Sequence, residues 1–309
     1  MTGPGPGHAT THDPCADPSA DPHPDPFPYD DAFSRNLGWV TPAEQRKLMA
    51  SRVCIAGLGG VGGIYLLTLA RLGVGAFSIA DFDTFTLANF NRQAGATVSS
   101  LGRSKVDVML AMARDINPSI DVRVFNEGLT PGNLQAFLAD GDAYVDGHDF
   151  FALPIRRQVF ALCRVNGIPA ITVAPLGMGA ALLNFLPGGM SFDDYFQFEG
   201  CNAHEQSLRF LVGLSPASLQ MTYLVDPSRV DLANGRGPST VIAVQLCSGI
   251  AAAQVLKLVL GRGDVVAAPR GLHFDAYRNR LRRTWRPGGN RNLLQRVLLA
   301  VARQRLKAR

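Results

Sequence analysis

Four apolar residues run straight into a cluster of glycines at Val53-Cys54-Ile55-Ala56-Gly57-Leu58-Gly59-Gly60-Val61-Gly62-Gly63. A short apolar run bounded by turn residues reads as a buried strand. Glycines at 57, 59 and 62 give the G-x-G-x-x-G spacing. That spacing permits a tight turn, close approach of the backbone to phosphate, and a helix N-terminus aimed at an anion. The pattern predicts a strand over 53–56, a helix over 64–72 and a second strand over 76–80, closed by Asp81. An acid at that strand end meets the hydroxyls of a ribose. The chain therefore binds a nucleotide, and the glycines alone leave open which one.

The discriminating residues come next. Asp83, Asn89, Asn91 and Arg92 follow Asp81 within a dozen residues, and Lys105 opens a helical stretch behind Gly102-Arg103-Ser104. Fixed donors such as Arg92 and Lys105 suit a triphosphate, where they stabilise charge moving onto a leaving pyrophosphate. Hydride transfer has no use for that much positive charge. Two other readings stay open. The glycine loop by itself allows an NAD(P)-dependent oxidoreductase, although the chain shows no obvious His/Asp relay. A non-catalytic nucleotide-binding scaffold subunit is the third, and the intact set of candidate phosphate ligands argues against it.

In order and content these motifs resemble the ThiF/MoeB/HesA superfamily, the ubiquitin-activating-enzyme-like adenylyltransferases, over roughly residues 33–280. Phe33-Ser34-Arg35-Asn36 with Glu44-Gln45-Arg46-Lys47-Leu48 is similar to the family's opening segment, and Tyr144-Val145-Asp146-Gly147-His148-Asp149 to its Asp-x-x-Asp segment. The resemblance implies ATP and Mg2+ as cofactors and formation of an acyl-adenylate from a substrate carboxylate. By the same resemblance Gly57, Gly59, Gly60 and Gly62 admit the phosphates and Asp81 takes the ribose. Asp83, Asn89 and Asn91 shape the site, Arg92 and Lys105 contact phosphate, and Asp149 holds magnesium. Arg35 acts in trans, which implies a homodimer. The carboxylate belongs to a ubiquitin-like or sulfur-carrier protein, a peptide, a modified tRNA or a small acid; behind the tRNA stands only the wording of Asn89-Phe90-Asn91-Arg92-Gln93, which is closest to the tRNA-modifying branch of the family.

Each residue also has a plainer reading. Asp81 and Asp83 suit the cap of a strand-to-loop turn, the asparagines an ordinary loop, and the two cations a solvated surface. His148 reads as a turn residue, since no second histidine stands at metal-ligand spacing.

The remaining sequence supports one α/β fold, Rossmann-like, doubly wound and mostly parallel with an antiparallel extension. A hydrophobic content of 47% supplies a core. Strands are expected over 120–125, 142–145, 170–174 and 180–185, the last turning the sheet antiparallel, and helices over 131–138 and 154–166. The expected division is a Pro/Asp/His-rich disordered tail over 1–30, an adenylation domain over 31–286 and a basic amphipathic helix over 287–309. Eleven of the thirty basic residues lie from Arg278 onward and no acid follows Asp275. Leu294, Val297, Leu298 and Val301 mark one face of that terminal helix, expected to dock on the body.

Five scattered cysteines form no Cys-x-x-Cys pair, which excludes the structural zinc of some members and argues against a disulfide framework. Cys201, with His204 nearby, is the one cysteine in a plausible loop and a weak candidate for a thioester. The aromatics and acids over 190–196 either line the substrate entrance or pack that loop down. The uncharged stretch 238–256 is expected to be a buried helix, at the dimer interface by resemblance, rather than a membrane span. The N-terminus lacks the basic start and apolar core of a signal peptide, so a cytoplasmic location is expected.

Overall fold

Residues 53–56 are apolar and buried at every position, as a strand covered on both faces requires. This strand, β1 (Arg52–Ala56), lies inside an eight-stranded sheet in the computed structural model, which describes residues 27–231 and 237–307. Residues 1–26 of the expected tail fall outside the described residues. The other strands are β2 (Ala76–Ala80), β3 (Asp121–Phe125), β4 (Ala143–Asp146), β5 (Ala170–Leu176), β6 (Gly179–Phe185), β7 (Arg270–Asp275) and β8 (Arg280–Trp285). Their order is β3-β2-β1-β4-β5-β6-β7-β8. β1 to β5 are parallel, and β6, β7 and β8 each add antiparallel, as the sequence predicted for 180–185.

Two short helices, α1 (Tyr29–Ala32) and α2 (Pro42–Ala50), precede the sheet. Thr41 and Glu44 form a capping box that starts α2, with Pro42 in its first turn. One face of the sheet carries α3 (Gly60–Arg71), α4 (Lys105–Ile116) and α9 (Val241–Leu260). The other carries α5 (Leu134–Leu138), α6 (Leu153–Val165), α7 (Phe192–Phe196) and α8 (Ala203–Leu214). Among the described helices α9 alone is long and apolar enough to cross a membrane. Here it packs on α3, β5 and β6 and buries Val244, Cys247, Ala251 and Val255.

Two local expectations change, and one choice left open is decided. The helix behind the glycines starts at Gly60 rather than 64, so its first turn is built on glycines, of which Gly62 has no room for a side chain. The aromatics of 190–196 pack inward: Phe192 stacks on Phe160 at 4.2 Å and Phe196 on Phe198 at 5.4 Å. The C-terminal helix, α10 (Leu293–Lys307), does dock on α8, but not through the predicted face. Leu294 and Val297 are about three-fifths exposed, whereas Gln295 and Leu299 are buried. The Gln295 side chain donates to the Val212 carbonyl at 3.3 Å, so a polar residue satisfies the interface, and Arg303 pairs with Glu205.

Candidate functional site

The sheet reverses direction between β1 and β4: the chain leaves β1 toward β2 on one side and enters β5 from β4 on the other. Ligands of open α/β sheets bind at such a point, beyond the carboxyl ends of the strands. The two segments that flank it here are the glycine loop and the Asp146–Asp149 loop. Three glycines interlock the two. Gly57 has φ +86°, and a Cβ on Gly62 or Gly147 would overlap the Gly57 carbonyl oxygen. Gly60 differs, because a Cβ there meets only Val244 Cγ2 at 3.4 Å and Arg92 Cγ at 3.9 Å. The folded chain leaves room for a side chain where a glycine stands. Gly59 is similar, with Gln93 Nε2 3.6 Å from its Cβ position. These two glycines keep open a cradle that the protein itself does not fill.

Asp81 clasps the loop. One carboxylate oxygen accepts the Leu58 N–H at 2.6 Å and the other the Asp83 N–H at 2.8 Å. The plainer reading of a cap is thus realised, and each oxygen keeps a lone pair for another donor. Lys105 opens α4 behind the Ser104 cap, and its buried Nζ lies 2.8 Å from Asp83 Oδ2. Arg92 donates to the Ala88 carbonyl at 2.9 Å and to Asn91 Oδ1 at 2.8 Å, with its stem beside Gly60. Asn89 caps its own turn through Thr86, and Asn91 donates to the Ser239 carbonyl at 2.9 Å, tying this loop to the start of α9. Both asparagines shape the loop rather than face the cradle. Gln93 was not singled out from the sequence. It is buried, its Oε1 has no hydrogen-bond partner, and its Nε2 points at Gly59.

On the β4 side the first acid is structural. Asp146 is buried and accepts from Arg156 Nε at 2.9 Å and Thr172 Oγ1 at 3.0 Å, with His148 Nδ1 at 3.2 Å. Burial pushes this carboxyl up, but the Arg156 charge and the hydrogen bonds from His148 and Arg156 outweigh it and hold it down at about 2. Arg156 also donates to the carbonyls of His148, Asp149 and Phe150, which fixes the loop behind β4. That loop leaves Asp149 exposed, with one oxygen accepting the Phe151 N–H at 3.0 Å. No three His, Cys, Asp or Glu side chains cluster among the described residues. A single exposed carboxylate on the rim that carries the glycine loop fits the needs of magnesium, which takes one or two carboxylates and completes its shell with water and phosphate.

A model of the ThiF family matches residues 33–295. The chain belongs to the ThiF family. Among curated ThiF-like relatives, the tRNA threonylcarbamoyladenosine dehydratase of Escherichia coli K12 is 35% identical over 128 residues, covering 41% of this chain and 47% of that protein. The sulfur carrier protein ThiS adenylyltransferase of the same strain is 34% identical over 143 residues, 46% of this chain and 56% of the relative. The chain thus spans about half the length of the curated relatives it matches. Among solved structures, E. coli MccB with ATP superposes with TM-score 0.61 at 18% identity, over 84% of this chain and 73% of that one. That similarity concerns the fold.

Two expected residues of this ThiF-family chain lie apart from the cradle. Arg35 is exposed in a segment whose Asn36 donates to the Leu72 carbonyl, just beyond the C-terminal end of α3. The cradle is at the other end of that helix, about 18 Å away at 1.5 Å per residue. Cys201 is half-buried between α7 and α8, with Sγ near the carbonyls of Gln197 and Glu199. Cys54, Cys163 and Cys247 are buried, and burial pushes all three thiols up.

Proposed function

We propose that this chain is an ATP-dependent adenylyltransferase that activates a substrate carboxylate as an acyl-adenylate with release of pyrophosphate. The observation that carries the reading is the open cradle at Gly59 and Gly60, bordered by Arg92 and Gln93, with Lys105 held on Asp83 next to the Asp81 clasp. A triphosphate would lie against the loop's N–H groups at the start of α3. The guanidinium of Arg92 and the ammonium of Lys105 supply charge, Lys105 exchanging part of its contact with Asp83 for phosphate oxygen. Asp81 receives the ribose hydroxyls on its free lone pairs. Asp149 would hold Mg2+, which when bound neutralises phosphate charge. The substrate carboxylate brings its own nucleophile, so these residues position and stabilise rather than shuttle protons.

The names of relatives support the class: one is an adenylyltransferase of a sulfur carrier protein, and one fold neighbour was crystallised with ATP. A carrier-protein or peptide C-terminus is the proposed substrate. A homodimer is proposed as the working form, since Arg35 is too far from the cradle of its own copy. The outer face of α9, with Val241 and Ile242 half-exposed and Gly249 open, gives two copies an uncharged surface to share. Free thiols and ATP chemistry fit the cytoplasm.

Calorimetric titration with Mg·ATP and separately with NAD tests the class, using the protein and its Arg92→Ala and Lys105→Met variants. Magnesium-dependent ATP binding, weakened by at least about tenfold in each variant, is expected. Binding of NAD without ATP would return the chain to the oxidoreductases.

A further inference from the structure

β8 is the last strand of the sheet, and no described strand pairs with its outer edge. Its residues, Arg280-Leu281-Arg282-Arg283-Thr284-Trp285, are exposed at every position but Thr284. Arg280, Arg282 and Arg283 form no ion pair among the described residues, and no acid follows Asp275 in the sequence. The opposite edge is arranged otherwise. On β3, Arg123 pairs with Asp140 at 2.7 Å and Asp121 pairs with Arg52. Charge on an edge strand ordinarily keeps other strands away. That purpose does not account for Leu281, Trp285 and the neighbouring Tyr277, which are 56%, 61% and 63% exposed. Large apolar side chains beside free backbone groups attract a strand.

We propose that β8 binds an acidic, extended polypeptide segment by strand addition, and that this segment precedes the reacting C-terminal carboxylate of the substrate. The second half of this assignment rests on the adenylation reading above. Strand addition draws affinity from main-chain hydrogen bonds and selectivity from side chains, here three unpaired arginines. A nucleic acid would satisfy the arginines but has no peptide groups to continue the sheet.

Topology sets the direction. β5 and β7 run toward the cradle end of the sheet and β8 runs away from it. The turn between β7 and β8, with Tyr277 and Arg278, therefore stands on the same rim as Gly57 and Asp149. A segment antiparallel to β8 delivers its C-terminus to that turn. From the added strand to β4 is five strand spacings, roughly 24 Å, which about seven extended residues cover. The path crosses the β5–β6 turn, held by Tyr223, which donates to Asp275 at 2.6 Å and accepts the Met178 N–H at 2.8 Å. Tyr223 lies against Tyr277 with ring centroids 4.7 Å apart, so the rim is aromatic along this stretch.

The test is fluorescence anisotropy with a labelled alternating Glu–Val peptide of about thirteen residues, long enough for β8 and the rim. The same peptide N-methylated at alternate residues is measured against the wild-type chain. The double substitution Arg280→Glu, Arg282→Glu is measured with the unmodified peptide, its melting temperature checking the fold. Binding weakened by at least about tenfold in both cases is the expected result. Equal binding of the N-methylated peptide would overturn strand addition, as would displacement by a single-stranded RNA of equal charge. Replacing Asp13, Asp17, Asp21 and Asp25 by Asn in the full chain should leave the affinity unchanged. A large gain would assign the edge to this chain's own acidic segment instead. Peptide binding absent while Mg·ATP binding is intact defeats the edge assignment alone. Mg·ATP binding absent while the peptide binds defeats the adenylation reading alone.

Discussion

Two glycines of one loop should respond to alanine in opposite ways. At Gly62 a Cβ overlaps the Gly57 carbonyl oxygen and stands 2.8 Å from its carbon, so backbone must move against backbone. Overpacking that side chains cannot relieve sits at the upper end of the usual range, about 3 kcal/mol. At 2–4 °C per kcal/mol for chains of 150–250 residues, that lowers the melting temperature of Gly62→Ala by roughly 6–12 °C. At Gly60 the same methyl finds only ordinary contacts with Val244 and Arg92. Alanine also favours a helix over glycine by up to about 1 kcal/mol, so Gly60→Ala should melt within roughly 2 °C of wild type or above it. Its methyl nevertheless enters the space proposed for phosphate, and Mg·ATP affinity should fall at least about tenfold. Thermal melts with and without Mg·ATP read both effects. If Gly60→Ala melted as early as Gly62→Ala, the fold itself would require that glycine. If it bound Mg·ATP like wild type, the cradle would not be the phosphate site.

Asp146→Asn should cost about 3–5 kcal/mol in chemical denaturation, because it leaves the Arg156 guanidinium buried without its counter-charge. With its carboxyl held at about 2, Asp146 stabilises fully above its unfolded value near 3.9 and loses that contribution as pH falls through about 2. Wild type should therefore lose about 2 kcal/mol more than Asp146→Asn between about pH 5 and pH 1. Arg35→Ala and Asp149→Asn chains, each inactive alone in pyrophosphate exchange, should recover about a quarter of wild-type activity when mixed and allowed to exchange subunits. No recovery would place both residues in one copy's site. Cys201→Ser should keep pyrophosphate exchange within about twofold, since two carbonyls, not a base, neighbour its sulfur.

What the sequence made legible was whatever short-range chemistry dictates. A strand that must turn sharply and open a helix toward an anion needs glycines at fixed offsets, so Gly57, Gly62 and the acid at the next strand end announce themselves. Lys105 was legible for a similar reason, one residue past a Ser cap. Arg156 was not, because its role depends on α6 folding back over the end of β4, ten residues after Asp146. Gln93 gave only its position beside Arg92; a neutral amide in a loop carries no period and no charge. The face of α10 was misread because counting apolar residues favours Leu294 and Val297. Burial instead went to Gln295, whose amide finds partners on Val212 and Asn290.

Arg156 grips the loop behind β4 by its carbonyls, and carbonyls are the one feature that every amino acid shares. Phe150 and Phe151 supply no side-chain hydrogen bond to this loop, so they can be exchanged with less effect on the path of the main chain than Asp146, His148, Asp149 or Arg156. Such a loop is a place where substrate preference can drift through successive substitutions without endangering the fold. Libraries randomised at Phe150 and Phe151 should yield a larger share of folded variants than equal libraries at Gly147 or Arg156.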